Sequence, residues 1–297
     1  MIRSFDELLK FVEKLPSRKV VIPGADTNSA VEAAIMAKKM NIADFLLIGD
    51  KAKIIELIKK NDNSMTEEFE YIAEKDDVLC VEKGVKAVLE GKADVILKGR
   101  TATSVLMKGI LNKSSGLAQG GIMSDVFIYE TEEKLIMMSD GGIVINPGVK
   151  EKVAMIRNAV QVAHALGNTS PKVALLAAVE VVNPKMQATL DAAEIVEMNK
   201  NGEIKDCIVD GPFALDMAIS REAARIKGVN SPVAGDADIL IMPNIESGNV
   251  FGKAITYYGK LRVAHVLIGA KVPVLITSRA DDAMTKMLSI ALGNICV

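Results

Sequence analysis

A short β-branched run, a turn of small or polar residues and an amphipathic helix recur as one unit along this chain. VVIPGAD (20–26) leads into TNSAVEAAIMAKKM, FLLIGD (45–50) into KAKIIELIKK, and ADVILKGR (93–100) into TATSVLMKGIL. Later come KVALLAAVE (172–180), ADILIMPN (237–244) and VPVLITSR (272–279), with helices expected near 184–200, near 248–263 and after 279. Apolar runs this continuous belong to strands buried on both faces, and their alternation with helices predicts a mainly parallel sheet in an α/β fold. The spacing has no fixed period, which excludes a solenoid. EKLIMMSDGGIVINP (133–147) reads differently, as two short runs about Gly141-Gly142, and fits a hairpin or a crossing between lobes. From Gly148 onward, Val153, Ile156, Val160 and Ala163 recur at helical spacing in one long helix.

A chain of 297 residues with an apolar fraction of 49% can build one large α/β domain or two lobes of ordinary size. Its net charge of −2 provides no overall basic field for a nucleic acid. Cys80, Cys207 and Cys296 are odd in number and far apart, which suits a reducing compartment and gives neither a disulfide framework nor a zinc site. They read as packing residues, and His164 as a packing or surface residue. The segment MIRSFDELLKFVEKL interrupts its apolar pattern with acids, so it does not read as a signal peptide. No run approaches the roughly 18 apolar residues of a membrane span. The expectation is a cytoplasmic protein without membrane or nucleic-acid partners.

In parallel α/β sheets, ligands gather at the carboxyl ends of strands, where helix N-termini point their N–H groups outward. The exit KGRTATS collects Lys98, Arg100, Thr101, Thr103 and Ser104, with Lys108 one turn beyond Ser104. Hydroxyls and cations there suit a phosphate, although a Thr/Ser cap with solvated cations explains the same residues. IESGNVFGKA (245–254) is not a Walker A loop: three residues separate Gly248 from Gly252, and Ala254 follows Lys253. Ser247, Gly248 and Asn249 can nonetheless open a helix and hold an anion through the backbone. No GxGxxG follows a strand, and no His/Cys/Asp/Glu spacing suggests a metal. In ITSRADD, Ser278 and Asp281 have the spacing of a capping box, and acids suit a helix start. A cap does not account for Arg279, which the positive end of the helix disfavours by roughly a few tenths of a kcal/mol. An anion sharing the site would.

Taken together, ADVILKGRTATSVLMKGIL, MMSDGGIVINPGVKEKVAMI, DGPFALDMAIS (210–220), SPVAGDADILIMPNIESGNVFGKAI and VPVLITSRADDA resemble the phosphate acetyl/butyryl transferase family, its butyryl branch above all. The resemblance implies reversible acyl transfer, in which acyl-CoA and inorganic phosphate give acyl phosphate and CoA. It also implies two α/β lobes of the isocitrate/isopropylmalate dehydrogenase-like kind, the first from residues 1–145 plus 268–297 and the second from 146–267. The active site would lie in the cleft, and the protein would be a homodimer or larger homo-oligomer. CoA and acyl-CoA enter as substrates, and neither a cofactor nor a metal is implied.

By the same resemblance, Ser278 and Arg279 stabilise the reacting acyl phosphate, and Asp281 or Asp282 helps to deprotonate the CoA thiol. The acetyl branch places that acid further from its arginine. Lys108 stands where the acetyl enzymes have a second phosphate-binding arginine, a role that Arg100 can share because lysine lacks the bidentate fork. Thr101 and Thr103 would hold phosphate, and Ser247, Gly248 and Asn249 would wall the cleft. No covalent nucleophile is identifiable, so direct attack in a ternary complex is expected. Two rivals stand beside this reading. A metal- and NAD-dependent decarboxylating dehydrogenase on the same fold needs an aspartate cluster and a nucleotide loop. A non-catalytic regulator would bind acyl-CoA or acyl phosphate without turnover. Acyl chain length is not fixed by the sequence; with no Trp, 7 Phe and 4 Tyr, an aliphatic pocket would be lined by Met, Leu, Ile and Val.

Overall fold

Val20, Val21 and Ile22 are all completely buried, as are Val95, Ile96 and Leu97, so consecutive residues of these strands lose water on both faces. The computed structural model of the chain describes residues 1–297 except 113–115, 119 and 279. In chain order its strands are β1 (Arg18–Pro23), β2 (Ala43–Gly49), β3 (Glu70–Ala73), β4 (Val95–Leu97), β5 (Ser124–Glu130), β6 (Leu135–Ser139), β7 (Lys172–Leu176), β8 (Ile208–Phe213), β9 (Ile239–Ile241), β10 (Val263–Ile268) and β11 (Val274–Leu275). The chain divides into two units. Phe5–Gly121 with Val263–Val297 form the first, and Met1–Ser4 with Ile122–Arg262 form the second.

In the first unit the strands run in the order β3-β2-β1-β4-β11-β10. All neighbours are parallel except β10, which meets β11 antiparallel. The register pairs Val21 with Ile96 and Leu97 with Leu275. The exits of β1, β4 and β11 therefore open side by side at the centre of the sheet. The closing helix, Ala283–Ile295, packs on β10 and on the helix Asn28–Lys39.

In the second unit the order is β5-β6-β9-β7-β8. A β5–β6 hairpin starts the sheet, and the remaining pairs are parallel. The long helix read from the sequence is Val149–Ala165, with Val153, Ile156, Val160 and Ala163 buried. The hairpin belongs to this unit, because β6 pairs with β9.

The structure departs from the sequence reading at two places. The hairpin turns at Thr131–Lys134, where the Thr131 hydroxyl accepts the N–H groups of Glu133 and Lys134. Gly141-Gly142 instead follows β6, on a turn organised by Asp140. The helix expected near 248–263 begins earlier, as Ile245–Lys253, continues into a wider turn at Ala254–Tyr258 and gives way to β10. Asn244 sets its start, since the side chain accepts the Ser247 N–H.

Candidate active site

In the first unit, the exits of β1 and β4 are locked together through the backbone. Gly99 donates to the Pro23 carbonyl at 3.1 Å and Arg100 to the Gly24 carbonyl at 2.8 Å. A Cβ on residue 99 would lie 2.1 Å from the Gly24 oxygen, so only glycine allows this approach. The Arg100 side chain lies along the same seam. Its Nε donates to both Asp26 carboxylate oxygens, at 2.8 and 3.0 Å, while Nη1 pairs with Asp77 and Nη2 donates to the Lys75 carbonyl at 2.7 Å. Three of its five N–H groups are thus committed within the protein. Any phosphate contact by Arg100 would use the other two.

One residue further on, Thr101 is completely buried, and its hydroxyl has no hydrogen-bond partner among the described residues. A buried hydroxyl in that state costs about 1–3 kcal/mol. The helix Thr103–Leu111 then starts from Ala102, whose side chain cannot cap it. Thr103 and Lys108 are exposed on this helix. Lys98 is buried at the strand end.

The neighbouring exit, from β11, repeats the pattern. The Lys98 N–H donates to the Leu275 carbonyl at 3.0 Å and fixes the two strand ends in register. Thr277, only 1% exposed, also has a hydroxyl without a partner among the described residues. Beyond it the chain turns tightly. The Ser278 N–H donates to the Asp281 carboxylate at 2.6 Å, the Asp281 N–H to the Ser278 carbonyl at 3.2 Å, and the Ala280 N–H to the Ser278 hydroxyl at 3.3 Å. Arg279, expected to be the main electrostatic group, lies outside the described residues.

The helix cap is Asp282 rather than Ser278. Its carboxylate accepts the Thr285 N–H at 2.8 Å. Beneath the turn lies a lysine that the sequence reading passed over. Lys286 is buried, and its ammonium donates to the Asp281 carbonyl at 2.5 Å and the Ser278 carbonyl at 3.4 Å. Burial lowers its pKa, opposed by the charges of Asp281 and Asp282.

In the second unit, the exits of β6 and β9 clasp one another. Asp140 is buried, and its carboxylate accepts N–H groups from Gly142 at 2.6 Å, Ile143 at 2.8 Å and Asp125 at 2.7 Å. Burial, and after it the charge of Asp125, raises its pKa to about 6 despite those three donors. Gly248 packs on this turn so closely that a Cβ there would lie 2.2 Å from the Asp140 carbonyl oxygen. Asn249 donates to the Gly141 carbonyl at 3.0 Å. The N–H groups of Ser247 and Gly248 are already taken by the Asn244 side chain and carbonyl, and the Ser247 hydroxyl donates to that carbonyl as well. DGG and SGN are thus two halves of one turn-on-turn contact, and neither motif reveals this by itself. The signal for Asp140 was present in the sequence, since Asp before Gly-Gly is the signature of an Asx turn.

The thiols carry no catalytic signature. Burial pushes Cys80 up, Cys207 up to about 11 and Cys296 up to about 12. His164 is exposed, 3.2 Å from the Asp206 carbonyl. Among the described residues no cluster of His, Cys, Asp and Glu is placed to hold a metal, and no helix is long and apolar enough to cross a membrane.

A family model described as "Phosphate acetyl/butaryl transferase" matches residues 75–293, a span that takes in the β4 exit, both turns of the clasp and the β11 exit. The chain belongs to the phosphate acetyl/butyryl transferase family. Over 295 residues it is 44% identical to the phosphate butyryltransferase of Clostridium beijerinckii, covering 99% of this chain and 97% of the relative. Among solved structures, a branched-chain phosphotransacylase from Enterococcus faecalis V583 matches with a TM-score of 0.83 and 31% identity, over 94% of this chain and 98% of the other. A 4-hydroxythreonine-4-phosphate dehydrogenase from Burkholderia phymatum matches with a TM-score of 0.55 and 13% identity, over 94% and 98% of the two chains, a likeness of fold alone. For this transferase family member, Arg100, Thr101, Ser278 and Asp281 stand at neighbouring strand exits of one unit, whereas Ser247, Gly248 and Asn249 belong to the other.

Proposed function

We propose that this chain transfers a short-chain acyl group, butyryl foremost, reversibly between CoA and inorganic phosphate: acyl-CoA and phosphate give acyl phosphate and CoA. The observation that carries this reading is the buried Thr101 hydroxyl, without a partner among the described residues, beside an uncapped helix start and at the strand exit neighbouring that of Ser278, in a chain 44% identical to a phosphate butyryltransferase. Phosphate is held by Thr101 and Thr103 at the helix start, where N–H groups and the macrodipole favour an anion, and Lys108 adds a positive charge from the last turn of the same helix. Arg100 supplies charge at the seam.

The carbonyl under attack develops an oxyanion, which Ser278 and Arg279 stabilise. One such donor is worth roughly 2.7–4 kcal/mol in other enzymes. Moving the proton between phosphate or thiol and solvent falls to Asp281 or Asp282. Asp281 is the better placed, because its carboxylate is held at the Ser278 backbone, whereas that of Asp282 is turned to the helix cap. Binding both substrates in one complex makes a covalent acyl-enzyme unnecessary. CoA and acyl-CoA act as substrates, with no cofactor. The protein works in the cytoplasm as a homo-oligomer.

Incubation with butyryl-CoA and phosphate, following free thiol, tests the reading. Phosphate-dependent thiol release supports it. Binding of butyryl-CoA without release would replace it with a regulator, and NAD reduction with a hydroxy acid would replace it with a dehydrogenase.

A further inference from the structure

Two hydroxyls on different strands share one deficit. Thr101 follows β4 and Thr277 follows β11, adjacent strands in register at Leu97 and Leu275. Both side chains are buried, and neither hydroxyl has a partner among the described residues. Both sit at the carboxyl edge of the sheet, where loops and helix starts collect ligands. A core has no use for such groups, since valine would fill the same volume without a polar atom to satisfy. Buried polar groups that the protein itself leaves unmatched call for an explanation, and at a strand exit a ligand supplies one.

Resting on the reading above, we infer that Thr277 joins Thr101 in a two-hydroxyl receptor for a tetrahedral oxyanion, the phosphate of the acyl-transfer reaction. Hydroxyls donate at short range and from separate directions, as an anion with several equivalent oxygens requires. The adjacent helix start at Ala102, without a side-chain cap, adds backbone donors on the Thr101 side. On the other side Thr277 is covalently next to Ser278, so an oxyanion held by Thr277 lies beside the residue assigned to the reacting acyl phosphate.

Thr277→Val, Thr277→Ser and Thr101→Val decide the matter, each melted with and without inorganic phosphate or CoA and assayed with butyryl-CoA. Thr277→Val should melt at or above the wild-type temperature in phosphate-free buffer, because it deletes a hydroxyl that has no partner. Its phosphate-induced rise in melting temperature should fall by about half or more, and its KM for phosphate should rise about tenfold, the loss of one hydrogen bond to a charged ligand. The CoA-induced rise and the KM for butyryl-CoA should stay within about twofold. Thr277→Ser should restore phosphate binding. Thr101→Val carries the same expectation from the other strand if Thr277→Val does not fold. An unchanged phosphate KM with an intact phosphate shift overturns the receptor. So does a loss of the CoA shift in place of the phosphate shift, which would assign the hydroxyls to CoA. Absence of phosphate-dependent thiol release in the wild type overturns the transferase reading itself, a different result from unaffected variants of an active enzyme.

Discussion

The Ser278 N–H donates to the Asp281 carboxylate at 2.6 Å, so the acid three residues along holds the serine's backbone in place. Asp282, its neighbour, faces the other way and caps the last helix through Thr285. Two adjacent aspartates that look interchangeable in the sequence therefore do separate work.

Replacing each separately shows the division. Asp282→Ala should cost about 1 kcal/mol of stability, the usual loss of a cap, and leave turnover within about threefold. Asp281→Asn keeps an oxygen able to accept the Ser278 N–H but removes the charge. Its melting temperature should stay close to wild type while kcat drops on the order of a hundredfold, the lower end for a general base. Unchanged turnover and pH–rate profile in Asp281→Asn would leave Asp281 a latch only.

Arg279 is the residue no helix cap explains. Arg279→Ala should lower kcat/KM by about a hundredfold or more, consistent with loss of an oxyanion donor, and leave the circular dichroism spectrum and cooperative unfolding intact. Near-normal turnover would remove Arg279 from the mechanism.

Arg100 and Asp26 form a mostly buried pair, 2.8 Å from Nε to Oδ1, between two strand exits. Deleting the arginine strands a carboxylate that is only 6% exposed, with Lys53 at 3.6 Å as partial compensation. Arg100→Met should destabilise by about 2 kcal/mol, less than for a wholly buried pair because Arg100 reaches solvent. Combining it with Asp26→Asn should recover part of that loss in a double-mutant cycle. Urea unfolding measures both.

Asp140 gives a pH dependence with a defined sign. Its pKa of about 6, against 3.8 for the ordinary carboxyl, means that the folded chain binds more protons than the unfolded chain between those values. This group therefore favours folding most at low pH, and the contribution is lost as pH rises through about 6. Asp125→Asn removes the like charge that follows burial as a cause. The stability of that variant relative to wild type should improve by about 1 kcal/mol on going from about pH 4 to pH 7. Urea unfolding at the two pH values provides the comparison, and an unchanged difference would count against coupling between the carboxylates.

Much of the fold was legible because buried parallel strands leave a plain record. β1, β2, β4, β7, β9 and β11 all fall on apolar runs read from the sequence. β3 was not legible, since EYIA is short and partly exposed, nor was β8, whose run contains Asp210, Gly211 and Pro212. The Gly-Gly hairpin was misplaced because a glycine pair marks a turn without saying what the turn connects. At the site, KGRTATS and ITSRADD were recognisable from charge and hydroxyl content. Lys286 and Thr277 were not singled out, because burial, and not residue type, makes each of them unusual, and Asp140 was passed over although its place before Gly-Gly marks an Asx turn.

The sequence by itself determined the α/β class and the family, and it marked the strand exits proposed to bind substrate, because periodicity and motif order are properties of the chain. Only the tertiary structure decided which polar groups are matched. Arg100 is tied to Asp26 and Asp77, Asp282 to its helix and Asp281 to Ser278, while Thr101 and Thr277 keep hydroxyls without partners among the described residues. The physical reason is that a hydrogen bond or an ion pair depends on distance and on exclusion of water. Both arise only when strands 74 residues apart in sequence, as at Asp26 and Arg100, are set side by side.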